Sequence, residues 1–118
     1  MSFPVRKPEV KPRIRTETEV KVDSLLYFQS SLLSLDALVY PLRIYYRDIE
    51  IRILEVMKVE NKYLKEYFVV VQLKRGNITT KPFTISCTDV DDFIKKLRSE
   101  IIKFRVGLHA FPDIYSKI

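Results

Sequence analysis

Apolar positions in this chain alternate, step by three and four, alternate again over a long middle stretch, and finally step by three and four to near the C-terminus. Each change of period marks a change of element. Thr16, Thr18, Val20 and Val22 lie on one side of an extended segment with Glu17, Glu19 and Lys21 on the other, predicting a half-exposed strand. Asp23 or Ser24 can cap the next element, where Leu25, Phe28, Leu32, Leu35 and Val39 predict a helix over about 24–37. Pro41 prevents its continuation. Leu42, Ile44 and Tyr46 alternate with Arg43 and Tyr45 up to an Arg47-Asp48 turn or bulge.

A second alternation, Ile49, Ile51 and Ile53 against Glu50 and Arg52, runs on to Val59. The polar segment 60–65 connects it to Tyr67-Phe68-Val69-Val70-Val71-Gln72-Leu73, rich in β-branched and aromatic residues and the expected central strand. Arg75-Gly76-Asn77 offers a hairpin turn, and residues 78–86 return as its second arm. Pro82 cannot donate to a ladder, so that arm is expected at a sheet edge or with a bulge. Thr88 is the expected cap of a long helix with Asp91 and Asp92 in its first turn. Its stripe is Val90, Ile94, Leu97, Ile101, Phe104 and Leu108, and Gly107 is placed to end it. The order predicts an α+β fold: an antiparallel sheet of about four to five strands, with an N-terminal helix and a long C-terminal amphipathic helix on one face. The other face is then free to bind.

Charge changes this picture unevenly. The 118 residues carry a formal +6, a bias toward anionic partners. Residues 1–15 hold Arg6, Lys7, Lys11, Arg13 and Arg15 against Glu9, a net +4. Pro4, Pro8 and Pro12 favour an extended path there, so 1–15 is expected to be a flexible basic arm and 16–118 a single domain. Such an arm can track phosphates or merely solubilise. In the domain, Arg43, Arg47, Arg52, Lys58, Lys74, Arg75 and Lys81 interleave with Tyr45, Tyr46, Tyr67, Phe68 and Phe83. Cations that follow a backbone, with rings on which bases stack, suit a single-strand binder. The opposing reading is that the aromatics fill the core and the hairpin cations only guard a sheet edge.

Catalytic material is scarce. Cys87 and His109 are the only residues of their kinds, and Gly76 and Gly107 are the only glycines. That leaves no phosphate-cradling glycine loop and too few ligands for a metal, and no cofactor is expected. A Cys87–His109 pair is conceivable, but a lone Cys at a strand end is usually a small buried hydrophobe. Binding therefore ranks above catalysis. A single Cys also makes no internal disulfide, and no apolar run nears the roughly 18 residues of a membrane span, so a cytoplasmic protein without membrane attachment is expected. Gln occurs only at 29 and 72 and Asn only at 61 and 77, while Ile, Lys, Arg and Glu abound, a thermophilic and archaeal bias.

The stretch Thr80-Lys81-Pro82-Phe83-Thr84-Ile85-Ser86-Cys87-Thr88-Asp89 and the helix after it resemble the transcriptional positive cofactor four family. In that family a Thr-Lys-containing strand leads through an Ile-Ser-Leu-Thr segment into a terminal helix. The resemblance covers about a third of the chain, and Phe83 stands where the family has Gly. It implies a backbone contact for Lys81 and a homodimer through the C-terminal helix. Composition and element order are also similar to archaeal ThermoDBP-type single-stranded-DNA-binding proteins. The expected partner is single-stranded DNA or RNA, held by the arm and by Arg43, Tyr45, Arg47, Arg52, Lys58, Phe68, Lys74, Arg75 and Lys81. The alternative is an interaction or assembly subunit of a larger ribonucleoprotein or transcription complex.

Overall fold

A computed structural model describes residues 17–107. Six strands form one sheet: β1 (Thr18–Val22), β2 (Leu42–Tyr46), β3 (Ile49–Glu60), β4 (Lys65–Arg75), β5 (Ile78–Thr79) and β6 (Phe83–Cys87). Two helices, α1 (Leu25–Ser30) and α2 (Val90–Arg105), complete it, so the chain is α+β as expected. The sheet runs β1-β2-β3-β4, with β5 and β6 both on the far side of β4. It is mixed rather than antiparallel, because β1 pairs parallel with β2, Thr18 beside Leu42 and Val22 beside Tyr46. The α1 crossover explains this: a connection that climbs back over the sheet returns the chain in the same direction, which a tight hairpin cannot do.

The predicted helix over 24–37 is shorter. Ser24 caps α1 by accepting from the Tyr27 N–H at 3.1 Å. Ser30 and Ser31 then donate their hydroxyls to the carbonyls of Tyr27 and Phe28 at 2.9 and 2.7 Å, competing with the helical ladder. The chain leaves the helix and re-forms one 3₁₀ turn over Leu35–Ala37, capped by Ser34. Leu25, Phe28 and Leu35 are buried as the spacing requires, but Leu38 fills the place expected of Val39, which is exposed.

Strands β3 and β4 outrun their neighbours. A bulge between Ile53 and Glu55 shifts the register by one, so Ile49, Ile51 and Ile53 face the helices before it and Val56 and Lys58 after it. The return arm breaks as Pro82 predicted. Thr80, buried between β5 and β6, donates its N–H to Leu73 O at 2.9 Å and accepts the Leu73 N–H on Oγ1 at 3.0 Å. Leu73 thus keeps both backbone bonds where the ladder is interrupted.

The cap of α2 is Asp89 rather than Thr88. Asp89 accepts from the Asp92 N–H at 2.8 Å while Asp92 accepts from the Thr88 N–H at 3.1 Å, a reciprocal pair that satisfies two donors instead of one. Gly107, at φ 93°, turns the chain out of the helix. Val90, Phe93, Ile94, Leu97, Ile101 and Phe104 are all buried against the sheet and α1. Each such side chain contributes roughly 1.5–3 kcal/mol. The stripe packs inside the monomer as far as Phe104; Leu108 lies outside the described residues. Among the described residues no helix is long and apolar enough to cross a membrane.

Candidate nucleic-acid interface

Both helices lie on one face, leaving the opposite face to Glu17, Glu19, Arg43, Tyr45, Glu50, Arg52, Phe68 and Gln72. Register decides what these residues can do. Arg43 stands between Glu19 on β1 and Arg52 on β3. Its guanidinium meets Glu17 at 2.8 Å, Glu19 at 3.5 Å and Glu50 at 3.0 Å. Arg52 meets the same Glu17 at 3.3 Å and Glu50 at 3.9 Å. A bond to the Tyr45 hydroxyl, at 3.2 Å, pushes Arg43 still further above its ordinary pKa; burial opposes this and Glu17 and Glu50 add to it. The two arginines, expected to face a ligand, are held by three carboxylates, and a phosphate would have to displace them.

Lys58 is also engaged. It lies 3.3 Å from both Asp36 and Glu60, which hold its pKa above the ordinary lysine value, Glu60 first. It faces the helix side, opposite buried Tyr67, whose hydroxyl donates to Asp36 at 3.0 Å. Phe68 is on the open face but half-buried, six positions along β4 from Lys74, so it forms no continuous platform with Tyr45. Tyr67 is core, and Phe83 packs partly against it.

The remaining cations collect at one end of the sheet. Glu50 pairs with Lys74, so the Arg47-Asp48 turn between β2 and β3 lies beside the Gly76-Asn77 turn between β4 and β5. Gly76 takes φ 61° in open space, so the turn needs glycine for its backbone and not for room. Arg47 takes φ 57°, where glycine is the ordinary occupant, and its guanidinium lies 5.4 Å from the Tyr46 ring centroid. The length of α2 brings Arg105 to the same end, 3.3 Å from Asp48, whose other oxygen is 2.8 Å from Arg75. Lys81 follows Thr80, which is bonded to Leu73, next to Lys74. Among the described residues Arg47, Lys74 and Lys81 form no ion pair. A shallow cleft of about 250 Å³ opens here between Tyr45, Arg47, Asp48, Glu50, Lys74 and Gly76.

Among the described residues only Arg75 and Arg105 of these five cations are ion-paired, both with Asp48, since the Glu50 carboxylate is taken by Arg43 and Arg52. Of the nine domain residues expected at the site, Tyr45, Arg47, Lys74, Arg75 and Lys81 come together; Arg43 touches them only through its bond to the Tyr45 hydroxyl, and Arg52, Lys58 and Phe68 do not join them. Arg105 was missed, although a cation in the last turn of a helix of known length could have signalled it. The arm residues Arg6, Lys7, Lys11, Arg13 and Arg15, and His109, lie outside the described residues. Cys87 is buried, and burial first, with Asp92 adding, pushes its thiol up to about 11. Among the described residues no group of three His, Cys, Asp or Glu side chains could hold a metal ion.

These features define a mixed-sheet α+β domain with its helices on one face and with Arg47, Lys74, Arg75, Lys81 and Arg105 at one end. No family model matches the chain, and neither the curated proteins nor the solved structures contain a match.

Proposed function

We propose that the domain binds single-stranded nucleic acid without catalysing a reaction on it. The observation that carries this reading is the sorting of cations. Ion pairs withdraw Arg43, Arg52 and Lys58, while Arg47, Lys74, Arg75, Lys81 and Arg105 converge around two turns where Asp48, held by Arg75 and Arg105, is the one acid paired with them among the described residues. Phosphates fit this end, with the Tyr45 ring beside the cleft for a base, and the basic arm supplies further contacts. The inert, buried Cys87 supports a binding role over a catalytic one. A thermophilic, cytoplasmic setting is supported by composition alone, and the buried α2 stripe gives a dimer through that helix no support.

The test is fluorescence anisotropy with labelled single- and double-stranded DNA and RNA across a salt series. Binding of single strands that weakens steeply with salt is expected. Undetectable binding at low salt defeats the proposal. A second reading, the assembly subunit, has its own observation: a cleft of about 570 Å³ between α1, residues 32–35 and the start of α2, rimmed by exposed Leu26 and by Leu33, which is 97% exposed. A stoichiometric protein partner that survives nuclease treatment would favour it.

A further inference from the structure

Beyond Ile53 and Val71 the β3–β4 hairpin runs on past the end of β2 and closes through Asn61-Lys62-Tyr63-Leu64. Its turn is ordered by Asn61, which donates its N–H to Leu64 O at 2.8 Å. The Asn61 side-chain oxygen accepts the N–H groups of Tyr63 and Leu64 at 2.8 and 2.9 Å. A turn held in this way presents Tyr63 to solvent, 90% exposed. The ammonium of Lys62 lies 5.8 Å from its ring centroid.

The charges at this tip are not neutralised. Glu60 is engaged by Lys58, and Glu66 accepts the hydroxyl of Ser86, a neutral partner; Lys62 and Lys65 form no ion pair among the described residues, Lys65 lying 5.9 Å from the Tyr67 ring centroid. An exposed ring on a fixed turn, with Lys62 at its side and Lys65 just beyond it, suits a base with a phosphate on either side, and the excess of Lys58, Lys62 and Lys65 over Glu60 and Glu66 favours a polyanion over an apolar protein surface. Lys65 and Lys74 are nine residues apart on β4, so the tip stands roughly 30 Å from the cationic end, at about 3.3 Å per residue.

We propose that the β3–β4 tip is a second nucleic-acid contact, with Tyr63 stacking on an unpaired base and Lys62 and Lys65 holding the flanking phosphates. This rests on the single-strand-binding reading and extends it to a ligand spanning both ends of the sheet. Two anchors on one strand raise affinity together when the strand can reach both.

The chain has no tryptophan, so Tyr63→Trp installs a single reporter. Tyr27→Trp, at another strongly exposed tyrosine, on α1, serves as control. A labelled oligothymidylate long enough to cover the roughly 30 Å is titrated into each variant, with anisotropy and tryptophan emission read together. Saturable quenching in the Tyr63→Trp variant in step with the anisotropy change, none in Tyr27→Trp, and a roughly five- to hundredfold affinity loss in Tyr63→Ala are expected. Binding that leaves the emission of the Tyr63→Trp variant unquenched and is unchanged in Tyr63→Ala overturns the tip contact and leaves the cationic end intact. No binding by the parent chain overturns both.

Discussion

Arg43 and Arg47 are four residues apart, on and just beyond the same strand, and they are put to opposite use. Arg43 lies in a corner where the parallel strand β1 delivers Glu17 and Glu19 and β3 delivers Glu50. Arg47 lies past the end of β2, in a turn whose Asp48 is turned to Arg75 and Arg105 and whose neighbour Glu50 is turned to Arg43, beside Lys74 and Arg75. The first region uses its cations to join strands; the second leaves them for solvent or a ligand. Usable charge is therefore a property of register, and composition alone does not reveal it.

The largest effect that could break this contrast is on binding at the cationic end. Arg47→Gly, Lys74→Ala and Lys81→Ala together remove three cations without disturbing an ion pair, and glycine is at ease at the Arg47 backbone angle. Each lost contact to a single strand is worth about 0.7 in the slope of log K against log salt, so the slope should flatten by about 2. At ~50 mM salt the affinity should fall roughly a hundredfold or more, with the unfolding midpoint held. An unchanged salt slope would mean that the phosphates are held elsewhere, and the two regions would no longer differ in function.

The corner should respond in the opposite way. Arg43→Ala leaves Glu17, Glu19 and Glu50 facing one another with Arg52 alone between them. Glu17 and Glu50 are only partly exposed, while Glu19 is exposed and contributes little, so the expected loss is about 1–2 kcal/mol of stability. Urea denaturation should show it as a lower midpoint at constant m-value, with oligonucleotide affinity unaltered. If affinity drops while stability holds, the corner is itself a ligand site and the distinction collapses.

The elements were largely legible because each rests on local periodicity: the α2 stripe, the isoleucines of β3 and the apolar run of β4 all behave as their spacing requires. Two features resisted. The early end of α1 depends on Ser30 and Ser31 turning back onto carbonyls, a choice that leaves the apolar spacing intact. The direction of β1 depends on the crossover, and with it the fate of Arg43 and Arg52. The site was legible only as a set of candidates: register sets Lys74 opposite Glu50 and Arg52 opposite Arg43 and Gln72, and only the side-chain geometry turns Glu50 toward the two arginines. Tyr63 and Arg105 escaped because a polar connector and a helix end carry no pattern; only the lengths of β3, β4 and α2 bring them forward.

The smallest effect concerns Lys58, a third cation on the structural side of the contrast, and is read through its partner. The Tyr67 hydroxyl is the main cause that holds Asp36 below the ordinary carboxylate range; burial opposes it, and Lys58 and Lys65 add to the lowering. A carboxylate whose folded pKa is depressed contributes stability above its unfolded value, near 4, and that contribution is lost as pH falls through the folded value. Asp92 titrates in the same direction: burial raises it, but the Thr88 N–H and Lys96 outweigh this and leave it below the ordinary range. Asp36→Asn should therefore flatten only part of the loss of stability below about pH 4, while leaving neutral-pH oligonucleotide affinity alone. Thermal melts from neutral to strongly acid pH can resolve this. An acid limb identical to that of the parent would mean that the Asp36–Tyr67–Lys58 contact adds nothing to the fold; Lys58 would then be held by Glu60 alone, and the division between structural and available cations would rest on that single pair for Lys58.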